Sequence, residues 1–192
     1  MIRVAAVILA GGEGRRIGGA KPLRRLGDRP LIDRALDLAR RWSATIAVAV
    51  RDPVQVPSVN AQVVEDDAIE GPLGGLSAGL RFAQNENCPF LLTIAADMPF
   101  LPPDLLNRLW IGIGERCCAM ASSGGHAHPV CALWRTLALD QLDAYVSSGE
   151  RSLKGFAAHI GAVEVEWPAG QDDPFFNINS AVDLAEAEER LR

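Results

Sequence analysis

The sequence has no apolar run approaching the ~18 residues that a membrane-spanning helix requires, and its N-terminus leads into a strand pattern without a basic-then-apolar leader. A membrane span and an export signal are therefore not expected, and the cytoplasm is the expected compartment. An excess of positive charge is also lacking: 19 Lys and Arg stand against 24 Asp and Glu, for a net charge of -5. That balance excludes the basic field of a general nucleic-acid binder and leaves any phosphate binding to local cations. The four cysteines, Cys88, Cys117, Cys118 and Cys131, include no C-x-x-C pair, and no histidine stands at zinc-finger spacing. Cys88 precedes an apolar strand candidate and the others lie in apolar runs, so they read as small buried hydrophobes in a reducing compartment. No internal repeat, linker or low-complexity segment interrupts the chain, and residues 1-192 read as a single domain.

What is present is concentrated in Val4 to Lys21, VAAVILAGGEGRRIGGAK. Val4 to Leu9 is uninterruptedly apolar and rich in branched side chains, which suits a strand buried on both faces of a parallel sheet. Ala10 to Gly19 then contains five glycines. A turn so poor in side chains lets backbone N-H groups approach an anion, and Arg15, Arg16 and Lys21 add positive charge beside it. The same residues would also serve as a basic surface loop. Two familiar phosphate motifs are absent: Lys21 is followed by Pro22 rather than Ser or Thr, and Ile17 stands where a dinucleotide fingerprint needs its third glycine.

Further along, Pro30 to Trp42 predicts a helix with Leu31, Ala35, Leu38 and Trp42 on one stripe, and Thr45 to Val50 and Gln62 to Glu65 predict strands, the latter emptying into Asp66 and Asp67. Gly71 to Gly79 is a second glycine-rich turn opening a helix, read either as an anion site or as close packing. Phe90 to Ala95 is another buried-type strand, delivering Asp97 to the edge where an open parallel sheet binds its ligands. A carboxylate there suits magnesium, although an Asp before Pro99 also forms turns. Helices are expected over Pro102 to Ile113, Leu137 to Val146 and Ser152 to His159. Strands are expected over Cys117 to Ala121, Pro129 to Trp134 and Ala162 to Trp167, the first two flanking a polar insert, Ser122 to His128. His126 and His128 have no third ligand nearby and read as a loop pair able to contact a phosphorylated substrate. In Phe175 to Asn179, FFNIN, the two amides are spaced to point the same way, and Ser180 and Asp183 form a capping box for a final helix. The alternation of elements predicts an α/β fold, a three-layer sandwich around a mostly parallel sheet.

Leu9-Ala10-Gly11-Gly12, Arg16, Gly18 and Lys21 resemble the LAGG-x3-R-M-G-x-D-K signature of the molybdenum cofactor guanylyltransferases, the MobA-type nucleotidyltransferases. The resemblance continues in order through Glu65-Asp66, Gly71-Pro72-Leu73-x-Gly75, Asp97-x-Pro99, His128-Pro129 and Asn177-x-Asn179. It implies a Rossmann-like sheet and transfer of GMP from GTP to the terminal phosphate of molybdopterin, with release of pyrophosphate. Leu9, Ala10, Gly11 and Gly12 would then hold the guanine nucleotide, with Arg16 and Lys21 on its phosphates and Asp66 on the nucleoside. Asp97 would bind Mg2+, and Gly75, Asn177 and Asn179 would line the pterin-phosphate side. Molybdoenzymes or other cofactor-biosynthesis proteins are candidate partners. Gly11 is implied to leave room for guanine, since similar enzymes that use CTP carry alanine there; CTP, another phosphorylated acceptor, and a non-catalytic nucleotide-binding role are the alternatives. Three positions depart from the pattern: Ile17 replaces methionine, Ala20 replaces the acid before Lys21, and Ala49 aligns nearest to an asparagine that the family often carries after the second strand.

Overall fold

The structure, a computed structural model, describes residues 3-12, 21-66, 69, 71-170 and 172-192. Most of the first glycine-rich loop, with Arg15, Arg16, Ile17 and Ala20, lies outside the described residues, as does Asp67.

One seven-stranded sheet carries the chain. Strands β1 (Val4–Leu9), β4 (Thr45–Val50), β5 (Gln62–Glu65) and β6 (Phe90–Ala95) run parallel in the spatial order β5-β4-β1-β6. A short ribbon, β2 (Arg25–Leu26) with β3 (Arg29–Pro30), precedes helix α1 (Leu31–Trp42). Beyond β6 the sheet continues through β8 (His126–Arg135), β7 (Cys118–Ser123) and β9 (Val163–Trp167), with β8 antiparallel to both of its neighbours. The sheet is thus mostly parallel, as the alternation of elements implies.

Helices cover both faces, which is why the central strands are apolar without alternation. On β1, Ala6 and Ile8 belong to the core cluster on the side of α1 and α3 (Leu105–Ile113), while Ala5 and Val7 belong to that on the side of α2 (Pro72–Asn85), α4 (Leu139–Ser147) and α5 (Leu153–His159). Helix α6 (Ala181–Arg190) closes a smaller cluster in which Leu26, Leu31, Ile178 and Ala187 meet. The buried side of α1 is broader than the expected stripe, since Ile32, Leu36 and Ala39 are buried with Leu31, Ala35 and Leu38. Helix α3 begins at Leu105, three residues after the expected start at Pro102. Three of the cysteines, Cys88, Cys118 and Cys131, are buried free thiols, and burial pushes the Cys131 thiol up to about 12.

The expected polar insert between β7 and β8 is not an insert. Both strands run on to a two-residue turn at Gly124–Gly125, with φ of 54° and 76°. Successive positive φ values match the right-handed twist of a hairpin, so Gly-Gly connects the strands directly and Ser122, Ser123, His126 and His128 become ladder residues. The register slips between Met120 and Ala121, where Ala121 faces His128 and Met120 faces Ala132. The surplus residues, Pro129 to Cys131, form a bulge that bends β8 beside the ligand-binding edge.

Candidate active site

The carboxyl ends of β1, β4, β5 and β6 all lie at one edge of the sheet, where backbone bonds carry the parallel pairing one residue past the strands. Ala10 N-H donates to Ala49 O at 2.8 Å, Asp66 N-H to Val50 O at 2.7 Å and Ala96 N-H to Leu9 O at 3.3 Å. They bound a cavity of about 250 Å³. The first-loop residues Leu9 to Gly12 form one wall, Ala49, Arg51 and Asp66 a second, and the entry to α2, at Gly71, Pro72 and Gly75, a third. Lys21, Asp97, Val130 and Asn177 close the fourth. A crevice at the strand ends, where β4 leaves β1 on one side and β6 on the other, is where open α/β sheets take nucleotides.

Gly11 and Gly75 are small for the same reason. A Cβ on Gly11 would stand 2.5 Å from Asp66 Oδ2, and one on Gly75 would stand 3.0 Å from Leu9 Cδ2 and 3.2 Å from Asp66 Oδ1. The Asp66 carboxylate thus occupies the space between two missing side chains. Within the protein, the space beside Gly11 is taken by Asp66. The same geometry puts Gly75 on the cradle wall with Leu9 and Ala49, although it is grouped with Asn177 and Asn179 in the sequence reading.

Lys21 lies in a single 3-10 turn, Lys21–Leu23, and its Nζ makes an ion pair with Asp97 and donates to Asn179 Oδ1 at 2.8 Å. The side chains of Lys21 and Asp97 are each 15% exposed, so the pair is only partly screened by water. Asp97 Oδ1 and Asn177 Oδ1 are buried without a hydrogen-bond partner among the described residues. Two buried, unsatisfied oxygens facing a cleft are costly unless a ligand completes them. The backbone of the FFNIN segment is tied to this point by Ile178 N-H, which donates to Asp97 O at 3.0 Å. Phe175 and Ile178 are buried and no strand forms there, so the two amides reach the site by different routes, Asn177 into the cavity and Asn179 onto Lys21.

The capping box is formed as expected. Asp183 Oδ2 accepts from the N-H groups of Asn179 and Ser180, each at 2.8 Å, and Asp183 N-H donates to Ser180 Oγ at 3.2 Å. The Asn179 backbone N-H leads in holding the Asp183 carboxyl below its ordinary 3.8. The cap is therefore complete above that value and is lost as pH falls through the lowered folded value. Ser180→Ala should cost about 1 kcal/mol in urea unfolding at neutral pH.

Of the residues singled out in the sequence, Leu9, Ala10, Gly11, Gly12, Lys21, Asp66, Gly75, Asp97 and Asn177 line one cavity, and Asn179 touches it through Lys21; Arg16 lies outside the described residues. Sequence reasoning missed Arg51 and Val130 as wall residues. Arg51 directly follows the end of β4 as Asp66 follows β5, while Asp97 stands two residues past β6.

Fold and cleft together are those of an enzyme that handles nucleoside triphosphates. Residues 6–163 match the family model of the MobA-like NTP transferase domain, and the chain belongs to that family of nucleotidyltransferases. It is 39% identical to a molybdenum cofactor guanylyltransferase of Cereibacter sphaeroides over 100% of this chain and 98% of that one. A solved structure of molybdopterin-guanine dinucleotide biosynthesis protein A from Archaeoglobus fulgidus superposes with a TM-score of 0.78 at 27% identity, covering 98% of each chain. The 4-diphosphocytidyl-2C-methyl-D-erythritol synthase of Anaerococcus prevotii has the same fold, with a TM-score of 0.77 at 13% identity over 99% of this chain and 96% of that one.

Proposed function

We propose that this enzyme transfers GMP from GTP to the terminal phosphate of molybdopterin and releases pyrophosphate. The observation that carries the reading is the cluster of Lys21, Asp97, Asn177 and Asn179 set against the glycine cradle, in a chain similar over its full length to molybdenum cofactor guanylyltransferases. Among the described residues no helix is long and apolar enough to cross a membrane, and the cytoplasm is the compartment we assign.

In this reaction an oxygen of the acceptor phosphate forms a bond to the α-phosphorus of GTP while the bond from that phosphorus to the bridging oxygen breaks, and pyrophosphate leaves. The acceptor phosphate is already ionised, so no general base is required. The barrier comes from bringing anions together, and positioning with charge neutralisation lowers it. Backbone N-H groups of the first loop hold the nucleotide, Asp66 orients the nucleoside, and Lys21 moves from Asp97 to the phosphates. The unsatisfied oxygens of Asp97 and Asn177 are hard donors of the kind Mg2+ takes, and these two residues would hold it. The ion supplies charge neutralisation for the phosphate oxygens.

The test is nucleotide choice with molybdopterin as acceptor, read as pyrophosphate release. GTP should be used in strong preference to CTP, and equal use of the two would replace the guanylyl reading by a cytidylyl or broader one. For Lys21→Ala, turnover should fall by about a hundredfold or more while affinity for guanosine, which has no phosphates, stays near the wild-type value. Equal losses for guanosine and GTP would reduce Lys21 to a support of the loop.

A further inference from the structure

A second polar cluster stands beside the cavity, on the side away from the glycine cradle. Ser123 is buried at the end of β7, and its Oγ lies 3.1 and 3.0 Å from the two carboxylate oxygens of Asp173 and 2.8 Å from His128 Nε2. Asp173 is itself fixed, since its Oδ1 accepts from Phe175 N-H at 2.9 Å and its backbone carbonyl accepts from Arg190. The His128 ring stacks on Phe175, with centroids 4.6 Å apart and planes 8° from parallel. Ring position and tilt are therefore set by packing, and the remaining freedom is the proton.

The cluster resembles a hydrolytic triad in composition but not in order. A serine hydroxyl has one proton, and the carboxylate, an acceptor only, takes it. His128 Nε2 must then be the donor to Ser123 Oγ, so histidine cannot draw a proton from this serine, and the serine is not an activated nucleophile. The consequence falls on the other ring nitrogen. With Nε2 protonated, the neutral ring carries its lone pair on Nδ1, and that atom has no hydrogen-bond partner among the described residues. Burial lowers the His128 pKa, aided by His126 and opposed by the charges of Asp173 and Glu166, which favours the neutral ring at neutral pH.

The position of this acceptor follows from the sheet. Beyond β6, which delivers Asp97, the next strand is β8, on the side opposite β4 and β5 and their nucleotide wall. His128 precedes Val130 by two residues and Phe175 precedes Asn177 by two, and Val130 and Asn177 both line the cavity. Neither ring lines the cavity itself, but the stacked pair adjoins the two segments that supply its Val130 and Asn177 wall.

We infer that His128, locked as the Nε2-H tautomer by Ser123 and Asp173, binds the acceptor substrate by taking a hydrogen bond at Nδ1 from a ring N-H or amino group of its heterocycle. The inference rests on the guanylyl-transfer reading, in which that heterocycle is a pterin. His128 touches the substrate; Ser123 and Asp173 are positioning residues that act through it.

Two substitutions separate this role from a structural one. His128→Gln can keep a donor to Ser123 and loses the acceptor at Nδ1, whereas His128→Asn places a carbonyl oxygen near the Nδ1 position. His128→Gln should raise KM for molybdopterin about tenfold, the worth of one hydrogen bond, with kcat and KM for GTP little changed, and His128→Asn should recover most of the loss. Nitrogen-15 NMR of the imidazoles should show Nε2-H in the free wild-type protein, with the Nδ1 resonance moving when molybdopterin is added anaerobically. An Nδ1-H tautomer, an unchanged KM in His128→Gln, or parallel losses for both substrates would overturn the inference. If wild-type protein neither binds molybdopterin by calorimetry nor turns it over, the guanylyl reading falls with it. If it does both and His128→Gln matches wild type, only the role of His128 falls.

Discussion

Asp97→Asn should leave the fold intact and lower turnover by at least about a hundredfold, a loss on the scale of removing one preorganised charge-stabilising group from a phosphate or oxyanion site. The substitution is nearly isosteric, and the backbone of residue 97, which accepts from Ile178 N-H, is untouched. The carboxylate meets Lys21 through one oxygen and presents the other, buried and unsatisfied, beside the cavity that Asn177 also lines. An amide can keep a hydrogen bond to the Lys21 ammonium through its oxygen, but its NH2 then takes the place of the unsatisfied acceptor. A cation that gains from a formal charge there loses it, and the position offers a donor instead. Thermal unfolding of the variant should stay within a few degrees of wild type, while Mn2+ binding to the nucleotide complex, followed by electron paramagnetic resonance, should weaken strongly. Near-normal turnover at limiting Mg2+ would remove Asp97 from the site.

Gly11→Ala should raise KM for GTP by about ten- to a hundredfold, and the loss should pass through Asp66. The added methyl stands 2.5 Å from Asp66 Oδ2 and 3.4 Å from Arg51 Cγ, closer to the carboxylate than carbon and oxygen can approach. The other carboxylate oxygen of Asp66 already sits in the space that a Cβ on Gly75 would need, 3.2 Å from that position. Forcing one methyl into such a place costs about 1 to 3 kcal/mol, which sets the range of the expected effect. A double-mutant cycle separates the two accounts of Gly11. If the methyl acts by displacing Asp66, then Gly11→Ala combined with Asp66→Ala should cost little more than Asp66→Ala alone. Additive losses would mean that the methyl meets the base of the nucleotide itself.

The readable parts of this fold are those where one residue's environment decides its type. Strands β1, β4 and β6 lie at the centre of the sheet, and the apolar runs of Val4–Leu9, Thr45–Val50 and Phe90–Ala95 give their bounds to the residue. Asp97 was legible because it comes two residues past such a strand, and Asp66 because it directly follows β5. The β7–β8 hairpin was harder to read: its outer half is polar, and the apolar pattern that marks a strand stops before the pairing does. Gly124 and Gly125 carried the missing signal, in the turn they demand rather than in hydropathy. The contacts of Lys21 with Asp97 and Asn179, and of Ser123 with His128 and Asp173, join residues far apart in sequence, and no local spacing marks them. Asn177 and Asn179 were singled out by a strand-like spacing, yet they meet the site without a strand, because Ile178 turns inward between them.

Strand β9 completes the sheet at Trp167, and Asp173, Phe175, Asn177 and Asn179 come after it. The sheet, with its glycine cradle, can therefore assemble while the ribosome still holds the residues that finish the cleft. A nascent chain halted at this stage would own a nucleotide wall and the Lys21–Asp97 pair, without the amide that partners Lys21 or the carboxylate that fixes Ser123. Folding and competence can then be separate events in time, with the sheet formed first and the cleft completed when the segment from Asp173 to α6 docks on Leu26 and Leu31.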